Sequence, residues 1–169
     1  MYSRVKSLPK KVWQHARREL IVRPTMRPVG ETLHVAGLFS TASGIGRSAS
    51  ICANSLENSG LNVVRVDLSD VFDQRDLDGP VTDLPSLPST GTLVLHLNPP
   101  EIETALIRMG LFWPKKWRVV GYWAWELAQV PDHWRGAERF VSEVWCPSEF
   151  SASAISERID VPVKVVPHA

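Results

Sequence analysis

Between an apolar run, LHVAGLF, and a helix-like run, ASICANSLENSG, the chain places nine residues, STASGIGRS, from Ser40 to Ser48. Two glycines and an arginine at a strand-to-helix handover are the parts of a phosphate site. Backbone N–H groups at a helix start lack intrahelical partners and carry partial positive charge, and glycine lets an anion come close. Arg47 in the first turn adds a bidentate donor suited to phosphate. The candidate phosphate contacts are therefore Gly44, Ile45, Gly46 and Arg47. Two other uses of the turn stay open. Ser43 can simply cap the helix while the glycines shape the turn. Alternatively, Gly44, Gly46 and Ala49 fit the G-x-G-x-x-A spacing of a dinucleotide site, with Asp67 about twenty residues on, at the end of the next strand. Against that, four residues, Ser40 to Ser43, separate the strand end from the first glycine. A dinucleotide turn is tighter.

What must position this turn is legible as an alternation. Apolar runs at residues 33–39, 62–68, 92–97, 118–123, 143–146 and 163–166 predict strands. Residues 43–59, 100–110, 131–140 and 148–158 predict helices, the first closed by Gly60 and the last capped by Ser148. Residues 71–90, rich in Asp, Pro and Ser, predict a long loop. Strands that are nearly all apolar and alternate with helices imply a parallel sheet covered on both faces. The fold class is thus α/β: a Rossmann-like, doubly wound sheet of about six strands, whose ligands sit beyond the carboxyl ends of the strands. The residues just after each strand are then the candidates, namely 40–47, 67–70, 96–101, 123–126, 147–149 and 167–168.

Composition narrows the class. The chain has 169 residues, 44% hydrophobic and 22% charged, with net charge +1. That is ordinary for one globular domain and unlike a dedicated nucleic-acid binder. Residues 1–27 hold eight Lys or Arg and one acid, whereas the rest holds eleven basic and seventeen acidic residues. The basic head, with Val12, Trp13, Ala16 and Leu20 on one stripe of a helix expected over residues 6–20, forms an extension of residues 1–30 ahead of a folded domain of residues 31–169. It suits either an anionic membrane surface or packing against protein. Cys52 and Cys146 lie far apart in sequence, and their placement suggests two free thiols rather than a metal site or redox pair. No apolar run reaches the ~18 residues of a membrane span. No apolar signal core follows the basic start. The expected location is cytoplasmic, with the inner membrane face as a candidate surface for the head.

Three segments, GYWAWELAQVPDHW, EVWCPSEFSASAI and PVKVVPHA, carry a resemblance. The W-x-P-S-x-F pattern of Trp145, Pro147, Ser148 and Phe150, the V-x-P of Val165 to Pro167 followed by His168, and the G-x-G-R turn of Gly44, Gly46 and Arg47 accompany one another. From about Leu33 to Ala169 the chain resembles the N-terminal half of a group 1, family 4-like glycosyltransferase of the GT-B fold. The resemblance implies an acceptor-side domain whose glycine turn approaches the phosphates of a nucleotide sugar. It also implies a second, donor-binding domain lying beyond this sequence, so that this half alone is inactive. Transfer would be to a glycan or lipid-linked acceptor, as in polysaccharide or glycolipid synthesis, with no cofactor or metal and with retention as the family expectation. Family members carry a histidine near the end of the fourth strand; here Trp123 and Trp125 stand in that region.

Sugar transfer needs the leaving phosphate stabilised and the acceptor hydroxyl placed. Glu126 and His96 are the candidate catalytic groups, and Asn98, Trp123, Trp125 and Glu126 the candidate acceptor contacts. Each has a structural alternative. His96 in an apolar strand suits a satisfied core histidine, the tryptophans suit packing, and Glu126 suits a cap or a pair with Arg135.

Overall fold

The computed structural model describes residues 24–27, 30–78, 83–111 and 116–168. The helix expected over residues 6–20 lies outside them. The chain runs β1 (Thr32–Gly37), α1 (Gly44–Asn58), β2 (Asn62–Asp67), β3 (Gly91–Leu95), α2 (Pro99–Arg108), β4 (Trp117–Tyr122), β5 (Glu143–Cys146), α3 (Glu149–Ser156) and β6 (Val163–Val165). The six strands form one sheet in the order β2-β1-β3-β4-β5-β6, and every pair is parallel. This is the doubly wound α/β architecture that the alternation implied.

The apolar runs explain the layering. Every residue of β3, GTLVL, is buried, as a strand covered on both faces requires. Successive side chains point to opposite faces. Leu93, Leu95 and Val119 accordingly share a core with Ile102 and Leu106 of α2 and Ile155 of α3. Val35, Val94 and Val120 share another with Ala53 of α1. The approach of α1 is close because small residues face each other: a Cβ on Gly37 would come within 2.7 Å of the Ala49 Cβ. Pro99 and Pro100 occupy the first turn of α2, where no intrahelical N–H partner is lost. Ser148 caps α3 by accepting from the Ser151 N–H at 3.2 Å.

Several boundaries depart from expectation; β3 ends at Leu95 and α3 at Ser156, each two residues early. β1 stops at Gly37 instead of residue 39, because the Phe39 N–H donates to the Asp67 carboxylate rather than to a neighbouring strand. Residues 131–140 form two short 3₁₀ turns, Asp132–Trp134 and Ala137–Phe140, instead of one helix. Gly136 between them sits at φ 87°, a left-handed value that no continuous helix contains. The long loop opens with a 3₁₀ turn, Ser69–Phe72.

The strand order places the site. β1 has β2 on one side and β3 on the other, and α1 leaves on the face opposite α2. The direction of winding therefore reverses between β1 and β3, and a crevice forms outside their carboxyl ends. The loops that open onto it are 38–43 and 96–98.

Candidate functional site

Asp67 anchors the glycine turn. It accepts from Phe39 N–H at 3.1 Å, the Ser40 hydroxyl at 2.6 Å, Ser69 N–H at 3.0 Å, the Ser69 hydroxyl at 2.6 Å and Arg75 Nη2 at 3.3 Å. Burial alone would raise its pKa; the hydroxyls, the N–H groups and the Arg75 charge outweigh that and hold it below the usual carboxylate range. Thr41 donates to the Gln74 carbonyl at 2.6 Å and Ala42 N–H to Asp76 Oδ1 at 2.6 Å. The turn is thus a fixed object before any ligand arrives.

On this frame the two glycines have different jobs. Gly46 is buried, and a Cβ there would lie 2.4 Å from the Leu38 carbonyl oxygen and 2.8 Å from that of Thr41. Its lack of a side chain lets α1 tuck beneath the turn. Gly44 is exposed, and a Cβ there would meet nothing within 4 Å. Ser43 caps the helix by accepting from Gly46 N–H at 3.2 Å. The N–H groups of Gly44 and Ile45 remain, since the first turn of a helix offers them no acceptor. Arg47 is exposed and joins no ion pair among the described residues. Of the four candidate phosphate contacts, Gly44, Ile45 and Arg47 thus offer donors at the mouth of the crevice, and Gly46 is packing.

The dinucleotide alternative fares poorly here. A ribose would need lone pairs of Asp67, yet five donors already surround its ~four lone-pair sites.

The loop after β3 divides its residues. His96 is 0% exposed, stacks on Tyr122 with centroids 4.6 Å apart, and has Nδ1 3.2 Å from the Ser48 hydroxyl. Burial, with the nearby His168 charge adding to it, lowers its pKa to about 3, so the ring is neutral. His96 lies beneath α1 and not in the open crevice. Asn98 is half-buried and its Oδ1 accepts from Ala124 N–H at 3.1 Å, tying this loop to the one after β4. Glu101, in the first turn of α2, has a carboxyl raised by burial, although a backbone hydrogen bond and the His133 charge pull it down; Oε2 is buried and unpartnered among the described residues.

The loop after β4 also divides. Trp123 is fully buried and meets Trp134 edge-on at 5.9 Å, which makes it core. Trp125 is half-buried, 4.7 Å from the Trp134 ring, with Nε1 donating to the Gln129 carbonyl at 3.0 Å. Glu126 is exposed. Its expected partner Arg135 instead approaches Asp132 at 3.7 Å. The turn and Glu126 are therefore available to a ligand in the crevice, Trp125 partly so, and His96 and Trp123 are not exposed to it.

Sequence reasoning did not single out Ser48, Tyr122 or Arg75. Ser48 Oγ lies 3.2 Å from His96 Nδ1 and 3.1 Å from His168 Nδ1, and Tyr122 donates to the Val166 carbonyl at 2.9 Å. The signal was present in the parity of β3: His96 falls on the Val94 face, which is the α1 face. Arg75 lies in an irregular loop with no periodicity to place it.

No family model and no curated protein matches the chain. Among the described residues no helix is long and apolar enough to cross a membrane, and no three or more His, Cys, Asp or Glu side chains cluster as a metal site. Cys52 and Cys146 are both free thiols.

Proposed function

We propose that this chain is the acceptor-side half of a GT-B glycosyltransferase, which moves a sugar from a nucleotide-sugar donor to a glycan or lipid-linked acceptor. The observation that carries this reading is the open start of α1, where Gly44 N–H, Ile45 N–H and the Arg47 guanidinium lie at the crevice formed by the switch between β1 and β3. Departure of a nucleoside diphosphate leaves negative charge on its phosphate oxygens. Preorganised N–H dipoles and a guanidinium stabilise such charge without reorganising. Glu126, an exposed carboxylate after β4, takes the acceptor hydroxyl as its hydrogen-bond partner, with Trp125 beside it as an apolar flank for a sugar ring. Asn98 holds the two loops at a fixed separation. In this reading His96 does not touch substrate. A second domain supplies the nucleotide pocket. The protein works in the cytoplasm, and the basic residues 1–27 bring it to an anionic membrane surface carrying its acceptor.

The test is calorimetric titration of the full chain with pyrophosphate, UDP-glucose, GDP-mannose and NAD. Binding of the diphosphates or nucleotide sugars that drops at least tenfold in Arg47→Glu supports the proposal. Binding of NAD alone, or diphosphate binding indifferent to Arg47→Glu, overturns it.

A further inference from the structure

A parallel sheet is covered on both faces. Here one strip has no cover among the described residues. Val144 and Cys146 of β5 are fully buried on the α2 and α3 side. Trp145, between them, faces the α1 side and is only half-buried. Its neighbour in register on β6, Lys164, has a side chain 55% exposed. Of the described helices α1 alone joins the core on this side, where it packs on β1, β3 and β4. The open strip therefore runs beside α1, along β5 and β6. Where it meets α1 lies a cavity of about 260 Å³, walled by Ile51, Leu56, Trp145 and Val166. Ser48, His96 and Tyr122 also line it, but they bond to one another or to the Val166 carbonyl, so the surface on offer is apolar.

The point of attachment of residues 1–23 shows what reaches this strip. Pro24 is buried, and Thr25 is clamped at the amino end of the β4–β5 pair. Its N–H donates to the Trp117 carbonyl at 2.8 Å, and its carbonyl accepts from the Ser142 hydroxyl at 2.6 Å. The segment thus leaves from the foot of the strip. The helix expected over residues 6–20 is about 22 Å long, against about 20 Å for the six residues of β4. Residues 21–24, at up to about 3.5 Å each, are long enough to turn the corner. A helix that ends at the foot of the strands runs antiparallel to them. So do α1, α2 and α3, each of which leads from the carboxyl end of one strand towards the amino end of the next.

The side chains match the strip. On a helix Val12, Trp13, Ala16 and Leu20 fall within about 100° of one another, and Lys10, Lys11, Arg17 and Arg18 lie on the other half of the circumference. With Leu20 at the foot, Trp13 stands about 10 Å further along. That is the height of the cavity, which lies at the carboxyl ends of β4 and β5. Glu19, the one acid among residues 1–27, borders the stripe at the Leu20 end. On the strip Arg118 and Lys164 flank a single carboxylate, Glu143, so the positive charge left over there complements it.

We propose that residues 6–20 are the cover of this face: a helix antiparallel to β4, β5 and β6, beside α1, with Trp13 in the cavity and the basic side outward. The packing rests on the sheet and is independent of the glycosyltransferase reading. It uses the apolar stripe in the fold, so that charge alone is left to meet an anionic surface.

Methyl–aromatic NOE spectra of the full chain test this, with the Trp13 ring assigned by its loss in Trp13→Phe. Trp13 should show NOEs to the methyl groups of Ile51, Leu56 and Val166. In a mixture of labelled and unlabelled chains, isotope filtering should place these NOEs within single molecules. Cys52 lines the same cavity. Trp13→Ala should speed its labelling by iodoacetamide by about fivefold or more, whereas Lys10→Ala leaves the rate unchanged. A Trp13 ring without those NOEs overturns the proposal, and NOEs that arise only between two chains do so in favour of a second copy. Cys52 labelling indifferent to Trp13→Ala overturns it as well.

Discussion

Ser40 donates its hydroxyl hydrogen to Asp67 Oδ2 at 2.6 Å, and through this bond the turn after β1 is built onto the end of β2. Arg75 closes the same knot from the long loop, reaching Asp67 at 3.3 Å and Asp70 at 2.7 Å. Asp67→Asn keeps the shape but presents an amide to hydroxyls and N–H groups that need an acceptor. It should destabilise the protein by about 2 kcal/mol at neutral pH. Because the folded carboxyl titrates below its unfolded value, its stabilisation is complete above the ordinary carboxylate range of about 4 and is lost as pH falls through the folded value. Urea unfolding of both proteins at pH 7 and at pH 3 checks this. The gap should narrow in acid, and an Asp67→Asn protein as stable as wild type at pH 7 would contradict the account.

The two glycines of the turn separate a structural requirement from a binding one. Gly46→Ala pushes a methyl to within 2.4 Å of a backbone carbonyl and should cost about 1–3 kcal/mol. Gly44→Ala meets open space and should leave the melting temperature unchanged or slightly raised, since alanine favours a helix. If Gly44 borders a phosphate, the same methyl weakens diphosphate binding in a protein of intact stability. Equal melting temperatures for both variants would mean that the close approach at Gly46 is not real.

The sheet was legible because both of its faces are covered. Runs such as TLVLHL have no reading other than a buried strand once helical segments lie on either side. The site was legible only where backbone chemistry governs it, at the capped and open first turn of α1. Side chains at the carboxyl edge were harder. Trp123 and Trp125 are two residues apart in sequence and both meet Trp134 of a later turn, one edge-on and the other tilted, yet one is core and the other half-buried. Distance from the strand end assigns His96 to the crevice, whereas its side chain follows strand parity to the α1 face. The contacts of Asp67 with Arg75 depend on how an aperiodic loop returns, which no local pattern encodes.

His96 makes stability depend on pH in the range where histidine ordinarily titrates. Its folded pKa, about 3, is below the unfolded value of about 6.5. The unfolded chain therefore takes up a proton first as pH falls. The neutral ring stabilises the fold fully above about 6.5, and that contribution declines below it by up to about 1.4 kcal/mol per pH unit. Chemical unfolding from pH 7 to pH 5 should show the decline in wild type and a shallower one in His96→Gln. Parallel slopes for the two proteins would remove His96 as the cause.

Cys52 sits on the wall of the cavity beside α1, and burial raises its thiol pKa to about 11. The thiolate is the reactive form. At pH 7.5 roughly a three-thousandth of such a thiol is ionised, against about a tenth for a free cysteine of pKa near 8.5. Iodoacetamide should therefore label the native chain slowly, with Cys146, also raised by burial, slower than a free thiol as well. Denaturation should accelerate labelling by about a hundredfold. Peptide mapping of the first modified site distinguishes the two cysteines, and native labelling of Cys52 at the rate of an unfolded cysteine would show that the wall between α1 and Trp145 is open.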